Sequence, residues 1–393
     1  MKHNLQSVHR SRNRFITKPS NISLQFKTVT ALKALILAGG FGTRLRPLSC
    51  TRPKILFPVV NKPLLQWTLE RLVKNKIEEA ILAVNHQTAV LIKQHRIPKC
   101  GVNITYSRDP LKKPLGTGGP IKKAEKLIGY DSPFLVLNGD IFADVNYTKI
   151  LKIHEEKNAL ATIALHRVED PSRYGVAELT RENRIKKFVE KPPREAATNN
   201  LINAGGYVLN PEIFSYIPKG RRVSLEREVF PKLVKEGKLY GYVFDGFWSD
   251  IGKPEDYLKI NHVLLDLLAS RLKYKIGSKA EVRKPVALDR GVSVGEESVI
   301  GPYAVLGHKV TVGKNVHIQK SVIFPETVIS DFSSINGAII GENVIIGKSV
   351  KIGEKCILGD HARIKNNVSL AKEVSVCPAR EVSESVLTPK CIT

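Results

Sequence analysis

From Val282 onward an apolar residue returns at every sixth position: Val282, Leu288, Val294, Ile300, Leu306, Val312, Ile318 and Phe324. The series restarts out of phase at Ile340 and continues through Ile346, Ile352, Leu358, Ile364 and Leu370. Glycine follows the anchor at 295, 301, 307 and 313, and again at 341, 347, 353 and 359. Four residues past successive anchors come small or β-branched residues, as at Val286, Val292, Ser298 and Ala304. An amphipathic helix would need a period of about 3.6 and would not tolerate this much Gly and Val. Hexads fit a left-handed parallel β-helix with three flat faces, each anchor pointing inward. The spacing from Phe324 to Ile340, 16 residues, is not a multiple of six, so a loop or irregular corner is expected there. The expected β-helix domain covers residues 282–393. Its open ends and faces suit pairing with a second copy, so a homo-oligomer through this domain is expected. His308, His317 and His361 are scattered along it without a partner pattern, which speaks against acetyltransferase chemistry there.

Residues 32–265 follow no such period. Short apolar runs such as "ALILAGG", "EAILAVN" and "PFLVLNGDIF" alternate with helix-like stretches such as "LLQWTLERLVKN". Continuous apolar strands between amphipathic helices predict a Rossmann-like α/β domain with a mainly parallel sheet covered on both faces. Pro254 stands at the favoured first turn of a last helix, "PEDYLKINHVLLDLLASRL", which leads out of the domain toward a linker over 266–281. Residues 1–30 are Ser/Asn/Arg-rich and read as a basic disordered tail. The tail resembles a transit peptide, but nothing downstream demands an organelle. The only methionine is Met1, so an alternative start would fall at Val29, read as Met, leaving the tail outside the native protein.

The net charge of +25 narrows the partners to anions. The first acidic residue is Glu70, after twelve Lys and Arg. No recognition-helix motif and no aromatic–basic alternation accompanies that charge, so nucleic acid is not the expected partner. No run approaches the ~18 apolar residues of a membrane span. Cys50, Cys100, Cys356, Cys377 and Cys391 lie far apart without metal-ligand spacing, which fits a reducing, cytoplasmic setting.

The stretch "LILAGGFGTRLRPLSCTRPKILFPV", Leu35 to Val59, combines a buried strand, three glycines and the cations Arg44, Arg46, Arg52 and Lys54, with no acid among them. Gly39, Gly40 and Gly42 let backbone N–H groups turn toward an anion. The loop is no Walker motif, because no G-K-[ST] closes it. It is a poor dinucleotide fingerprint, because Arg44 takes the place where that helix would begin. A triphosphate under cleavage needs several cations around its developing charge, and Arg44 with Lys54 supplies them. Asp140 ends the predicted buried strand "FLVLNGD", and a carboxylate at a strand's C-terminal edge faces the ligand crevice of an α/β sheet or caps a turn.

"GGFGTRLRPL…RPK" resembles the signature of the sugar-1-phosphate nucleotidylyltransferases, also called nucleotide-sugar pyrophosphorylases. The resemblance continues, in the family's order, through "LGTGGP", "VLNGDIF", "YGVAEL", "FVEKPP", "INAGGYVLNPEIF" and "GFWSDIGKPEDYL", and it covers nearly everything from residue 32 on. "SLEREVFPKLVKEGKLYGY" and the ending "VCPAREVSESVLTPKCIT" look most like the mannose-1-phosphate guanylyltransferases. Ile55 departs from the proline common in that family, and Gly206 from a larger residue.

The resemblance implies transfer of a nucleoside monophosphate from a nucleoside triphosphate to a sugar 1-phosphate, with release of pyrophosphate. GDP-mannose from GTP and mannose 1-phosphate is the nearest case. A uridylyl or thymidylyl transfer to glucose 1-phosphate or an amino sugar is the alternative. The implied nucleotide contacts are Leu37, Ala38, Gly39, Gly40, Gly42, Thr43, Arg44, Lys54, Gly116, Thr117 and Gly139. Gly175, Glu190, Lys191, Asn203 and Gly205 are the implied sugar-phosphate contacts. Asp140 and Asp250 are the implied Mg²⁺ ligands, and Arg44, Lys54, Asp140, Lys191 and Asp250 the implied catalytic set. Taken alone, Asp250 could cap the helix at Pro254 and "EKPP" could be a solvated surface turn. The attacking phosphate oxygen is already anionic near neutral pH, so no general base is required. Non-catalytic relatives, regulatory or translation-factor exchange subunits, would be expected to lose these charges. Base identity does not follow from spacing; Asp109 or backbone carbonyls between Ser107 and Pro114 could accept from a guanine.

Overall fold

The strand Lys33–Leu37 is apolar on both faces and lies inside a nine-stranded sheet. Ala34 and Ile36 point into a core with Leu65, Leu69 and Leu72 of the helix Leu64–Lys74. Leu35 points the other way, into a core that holds Phe134, Val136 and Phe230. This two-sided burial explains the continuous apolar run. In the computed structural model, residues 32–393 are described apart from 41, 96, 98–99, 111–113, 198 and 273–278. The N-terminal tail with Val29, and much of the expected linker, fall outside the described residues.

The sheet changes character at its middle. Lys33–Leu37 pairs in parallel with Glu79–Asn85 and with Phe134–Asn138, and Glu79–Asn85 pairs in parallel with Asn103–Asp109. Beyond Phe134–Asn138 the strand Leu201–Leu209 runs antiparallel and carries Ala161–Arg167 and Gly175–Leu179. The parallel half therefore brings Leu37, Asn85, Asp109 and Asn138 to one edge, where an α/β sheet opens its crevice. A separate two-stranded ribbon pairs Trp248–Asp250 with Ile141–Ala143, opposing Asp250 to Ile141.

The C-terminal lobe is a three-sided parallel β-helix, as the hexads predict. Strands of two or three residues stack into sheets of six, seven and six. Val312, Ile318, Ile346, Ile352 and Leu358 line one continuous core. Hydroxyls at the small hexad positions are satisfied by the next coil: Ser298 Oγ donates to the Gly313 carbonyl at 2.8 Å and Thr327 Oγ1 to that of Gly341 at 2.8 Å.

Between Phe324 and Ile340 no loop interrupts the coils, and the irregularity is a shortened corner. The coils simply shorten. Leu306 pairs with Ile323 rather than Phe324, and Ile323 pairs with Ile340, so the inward series runs Ile318, Ile323, Ile329, Ile335, Ile340. Two sides lose one residue each, and the period recovers. Phe324 is thereby displaced from the core. It turns toward the first lobe, edge-on to Phe57 and Tyr257 at centroid distances of 6.1 and 6.3 Å. The helix Pro254–Leu268 packs Tyr257, Ile260 and Leu264 in one buried cluster with Ala287, Val305, Val322, Ile339 and Ile357, residues of the seven-stranded face. The two lobes thus share an apolar core.

Candidate functional site

After Leu37 the backbone leaves the sheet. The Ala38 N–H still donates to the Ala83 carbonyl at 2.9 Å, and the Gly139 N–H donates to the Leu37 carbonyl at 2.8 Å. These two bonds lay the start of the glycine loop beside the turn that carries Asp140. Gly42 sits at φ +61, and a Cβ there would stand 3.0 Å from Lys54 Cγ and 3.3 Å from Ser49 Cβ. Glycine is therefore required both by conformation and by the lysine stem lying across it. Lys54 Nζ reaches Asp140 Oδ2 at 3.2 Å.

The four cations of the stretch divide. Lys54 enters the crevice, and Arg44 lines a neighbouring compartment. Arg46 is exposed. Arg52 turns away and is buried against the β-helix, where it pairs with Glu342 and Asp360 and lies over the Phe324 ring at 5.1 Å. Thr51 Oγ1 donates to Asp360 Oδ2 at 2.7 Å. Two residues ahead of Lys54, the segment is thus fastened to the other lobe.

Two compartments meet at Asn138 and Asp140. The larger, about 390 Å³, is lined by the expected Leu37, Ala38, Gly39, Gly40, Gly42 and Lys54 on one side and Gly116, Thr117 and Gly139 on another. The smaller, about 170 Å³, is lined by Arg44, Gly175, Glu190, Lys191, Asn203 and Asp250. Two expected contacts lie elsewhere. Thr43 begins a short 3₁₀ turn and lines neither compartment. Gly205 sits behind the smaller one at φ +73, where a Cβ would stand 2.3 Å from Ile141 Cδ1 and 2.7 Å from Asn138 Nδ2. Its N–H donates to Asn203 Oδ1 at 2.9 Å, and the strand pairing slips between Asn203 and Tyr207. Gly205 thus shapes the bulge that presents Asn203. Gly206 has no such crowding, its nearest atom to a built Cβ being 3.6 Å away, and Ile55 lines the larger compartment.

Asp250 comes to Asp140 through the ribbon, and the Ile251 N–H donates to the Asp140 carbonyl at 2.9 Å. Burial, and next the charge of Asp140, push the Asp250 carboxyl up to about 6. A carboxylate held at such cost is relieved by a cation. No group of three or more His, Cys, Asp and Glu with metal-binding proximity occurs among the described residues. The pair Asp140 and Asp250 is a donor set that suits a hard divalent cation, which takes one or two carboxylates and completes its shell with other oxygens.

Lys191 adopts φ +52, uncommon for a side-chain-bearing residue, and its N–H donates to the Tyr174 carbonyl at 3.0 Å. Its ammonium stands 3.8 Å from Glu190, whose carboxyl is pushed up by burial and then by Glu226. Sequence reasoning did not single out Asn138, Arg173, Tyr174 or Glu226, all of which line the smaller compartment. Glu226 also accepts from Thr117 Oγ1 at 2.6 Å and so ties the two compartments together. It sits on a five-residue π-helical turn, Leu225–Val229, for which "SLEREV" carries no visible signal. Arg173 is pinned by Asp256 at 2.8 Å, and neighbouring "YGVAEL" is the one cue that pointed near it.

Residues 33–266 match the family model described as nucleotidyl transferase, and residues 282–392 match that of the GMPPB C-terminal domain. A probable mannose-1-phosphate guanylyltransferase 2 of Oryza sativa subsp. japonica is 37% identical over 274 residues, 68% of this chain and 74% of that protein. The mannose-1-phosphate guanyltransferase of Saccharomyces cerevisiae is 39% identical over 256 residues, 64% of this chain and 70% of that protein. Among solved structures, HddC from Yersinia pseudotuberculosis complexed with GMP-PN is similar at TM-score 0.51 and 29% identity, covering 59% of this chain and 99% of that one. A UDP-glucose pyrophosphorylase complexed with UDP-glucose is similar at TM-score 0.52 and 26% identity, covering 61% and 100%. The nucleotidyl transferase match spans more than half of the sequence and coincides with the lobe that holds both compartments, and on that ground the chain belongs to the nucleotidyl transferase family.

Proposed function

We propose that the chain transfers GMP from GTP to mannose 1-phosphate, forming GDP-mannose and releasing pyrophosphate. The observation that carries this reading is the pair of compartments meeting at Asp140: a glycine-lined cleft with a lysine on one side, and a chamber with Arg44, Lys191 and Asn203 on the other. The names of the relatives supply the base and the sugar.

In this reading the triphosphate lies along Gly39, Gly40 and Gly42 with Lys54 beside it, and Arg44 faces it from the neighbouring compartment. Lys191 holds the phosphate of the sugar 1-phosphate, and Glu190 and Asn203 accept from or donate to its hydroxyls. A sugar-phosphate oxygen attacks the α-phosphorus, the bond to the bridging α–β oxygen breaks, and its electron pair leaves on pyrophosphate. The attacking oxygen is already anionic, so no proton is removed. The residues work by alignment and charge neutralisation. Asp140 and Asp250 would hold Mg²⁺, which when bound supplies positive charge to the phosphoryl oxygens.

The β-helix would join two copies of the chain. Val328 and Ile345 pair side by side in one sheet and are 40% and 43% exposed, with Phe332 nearby in sequence at 61%. Five free cysteines support a reducing, cytoplasmic setting. Among the described residues no helix is long and apolar enough to cross a membrane.

The test is pyrophosphate release on mixing the chain with Mg²⁺, GTP and mannose 1-phosphate. Release that requires all four components is expected. Release from GTP without the sugar phosphate, or only with UTP or dTTP and glucose 1-phosphate, would overturn the reading.

A further inference from the structure

One corner of the β-helix faces the cleft lobe as a ladder, and the signature stretch climbs it one coil per residue. Ile340 pairs with Leu358 and Leu358 with Val376, so Glu342, Asp360 and Pro378 hold equivalent places on successive coils. Arg52 pairs with Glu342, and Thr51 Oγ1 donates to Asp360 Oδ2 at 2.7 Å. The next residue back, Cys50, is exposed and stands near Cys391. On this face Gly341 and Gly359 follow the inward anchors, and a Cβ on either would stand 2.7 Å from the backbone nitrogen of Asp360 or Pro378 in the next coil. Cys377 holds the same place one coil further on, so its side chain points along the stack toward the last strand, Cys391–Ile392. The Cys377 N–H donates to the Ile392 carbonyl at 2.8 Å, and the Ser375 N–H to the Lys390 carbonyl at 2.9 Å. Cys391 is thereby laid beside Ser375, and its thiol is hydrogen-bonded to that of Cys377. Cysteines from three distant places in the sequence thus gather where the two lobes meet.

The remaining two cysteines are set apart. Cys356 is buried in the β-helix core, where its Sγ donates to the Ala371 carbonyl at 2.8 Å. Cys100 packs against a core of the cleft lobe. Burial, and next the neighbouring Cys377, raise the Cys391 thiol above the ordinary range, so Cys391 keeps its proton near neutral pH and donates it toward Cys377. Two thiols in contact, one of them exposed, are open to oxidants in a way that a buried thiol is not. We propose that Cys377 and Cys391 form a dithiol modification site, which a peroxide closes to a reversible disulfide. With hydrogen peroxide, the Cys377 sulfur attacks one oxygen, the O–O bond breaks, and water leaves a sulfenic acid at Cys377. The Cys391 sulfur then displaces the sulfenic oxygen, the S–S bond forms, and a second water carries off the Cys391 proton. Each sulfur gives up one electron and the peroxide takes both. The Ala379 N–H donates to the Asp360 carbonyl at 2.9 Å, and the Glu342 N–H to Asp360 Oδ1 at 2.7 Å. The link therefore restrains the coil that lies directly on the acid holding Thr51 and Arg52. The site stands independently of which substrates the cleft takes.

The test uses the full chain, reduced with dithiothreitol, freed of it and treated with an equimolar amount of hydrogen peroxide. Free thiols are then alkylated in denaturant, and the protein is digested without reductant for mass spectrometry. Peptides joined through Cys377 and Cys391, two hydrogens lighter than the separate pair, are expected from the wild type. The link should disappear after dithiothreitol and be absent from Cys391→Ser, while Cys50, Cys100 and Cys356 are recovered alkylated. In the linked protein, amide exchange at Ser375, Cys377 and Ala379 should slow by about tenfold, because the cross-link restrains the last strand.

Recovery of every cysteine in alkylated form would overturn the proposal whether or not the variant folds. So would oxygen added to Cys377 or Cys391 without a link. A link from Cys50 to either thiol, or one found only between two copies, would overturn the pairing of Cys377 with Cys391. Unchanged exchange at the three amides in linked protein would overturn the restraint on the coil beside Asp360.

Discussion

The β-helix solves one packing problem repeatedly, whereas the cleft lobe uses each of its segments once. In the β-helix, Ile346, Ile352 and Leu358 are interchangeable in role: each fills the same kind of inward position and stacks on its counterpart in the next coil. In the cleft lobe, Asp140 and Asp250 are brought together by a short antiparallel ribbon that joins segments far apart in the chain. The difference teaches where chemistry is built. Regular backbone satisfies its own polar groups, so the proposed site residues stand where regularity stops: at Gly42, at the turn after Asn138, at the bulge around Gly205 and at the left-handed Lys191. Arg52 is where the two strategies touch. It belongs to the signature stretch, yet its partners Glu342 and Asp360 belong to the coils.

Breaking that link should have the largest effect on the fold. Arg52→Met leaves Asp360, itself only 5% exposed, without its cation. Loss of one partner of a buried pair costs about 3–5 kcal/mol. Denaturant unfolding should report a loss of that size, and turnover should fall with it, because the segment carrying Lys54 loses its anchor. A variant as stable as the wild type would mean the lobes are held by the shared apolar cluster alone.

Asp140→Asn should separate chemistry from scaffold. It removes one charge where the compartments meet, so kcat should fall by about 10²–10³ with thermal unfolding little changed, as for other single lost transition-state contacts. Near wild-type turnover would remove Asp140 from the mechanism.

A pH profile should probe the core of the cleft lobe. His154, on the helix Tyr147–Glu156, is buried in the cleft lobe with Nδ1 3.0 Å from Thr162 Oγ1, and burial lowers its pKa to about 4. The unfolded chain binds this proton near pH 6.5, the folded chain only near 4. Stability from this site is therefore complete above 6.5 and falls as pH drops toward 4, by roughly 3 kcal/mol over the window. The difference in unfolding free energy between pH 7 and pH 4.5 should shrink in His154→Phe. Equal profiles for His154→Phe and the wild type would show that the site does not titrate as described.

The smallest effect contrasts neighbours on one strand. Ile346 is fully buried and Ile345 is 43% exposed. Ile346→Val should cost about 0.5–1.5 kcal/mol and Ile345→Val close to nothing, measured by chemical denaturation. An appreciable loss at Ile345, together with a change in oligomeric mass by light scattering, would support burial of that face against a second copy.

Legibility from sequence follows the same division. A period of six announces the β-helix because every coil repeats the same constraint, and the glycine stretch announces an anion site because few folds need Gly39, Gly40, Gly42 and Lys54 together. The shortened coils were hidden because Phe324 is as apolar as a true anchor. Only the pairing of Leu306 with Ile323 reveals that it faces the other lobe. Arg52 looked like one more cation beside Arg44 and Arg46, since its acidic partners lie some 300 residues away in sequence. Glu226 was silent because a π-helical turn has no sequence signature of its own. Gly205, expected at the sugar phosphate, is explained by Ile141 and Asn138 crowding its missing Cβ, a contact between distant segments.

The most direct test follows two phosphorus labels. GTP labelled at the α- or the γ-phosphorus is incubated with the chain, Mg²⁺ and mannose 1-phosphate, and the products are separated. The account predicts α-label in a nucleotide sugar and γ-label in pyrophosphate, in equal amounts, with neither moving when mannose 1-phosphate is omitted. Label from the γ-position in inorganic phosphate or on the sugar, or no movement of either label, would contradict it.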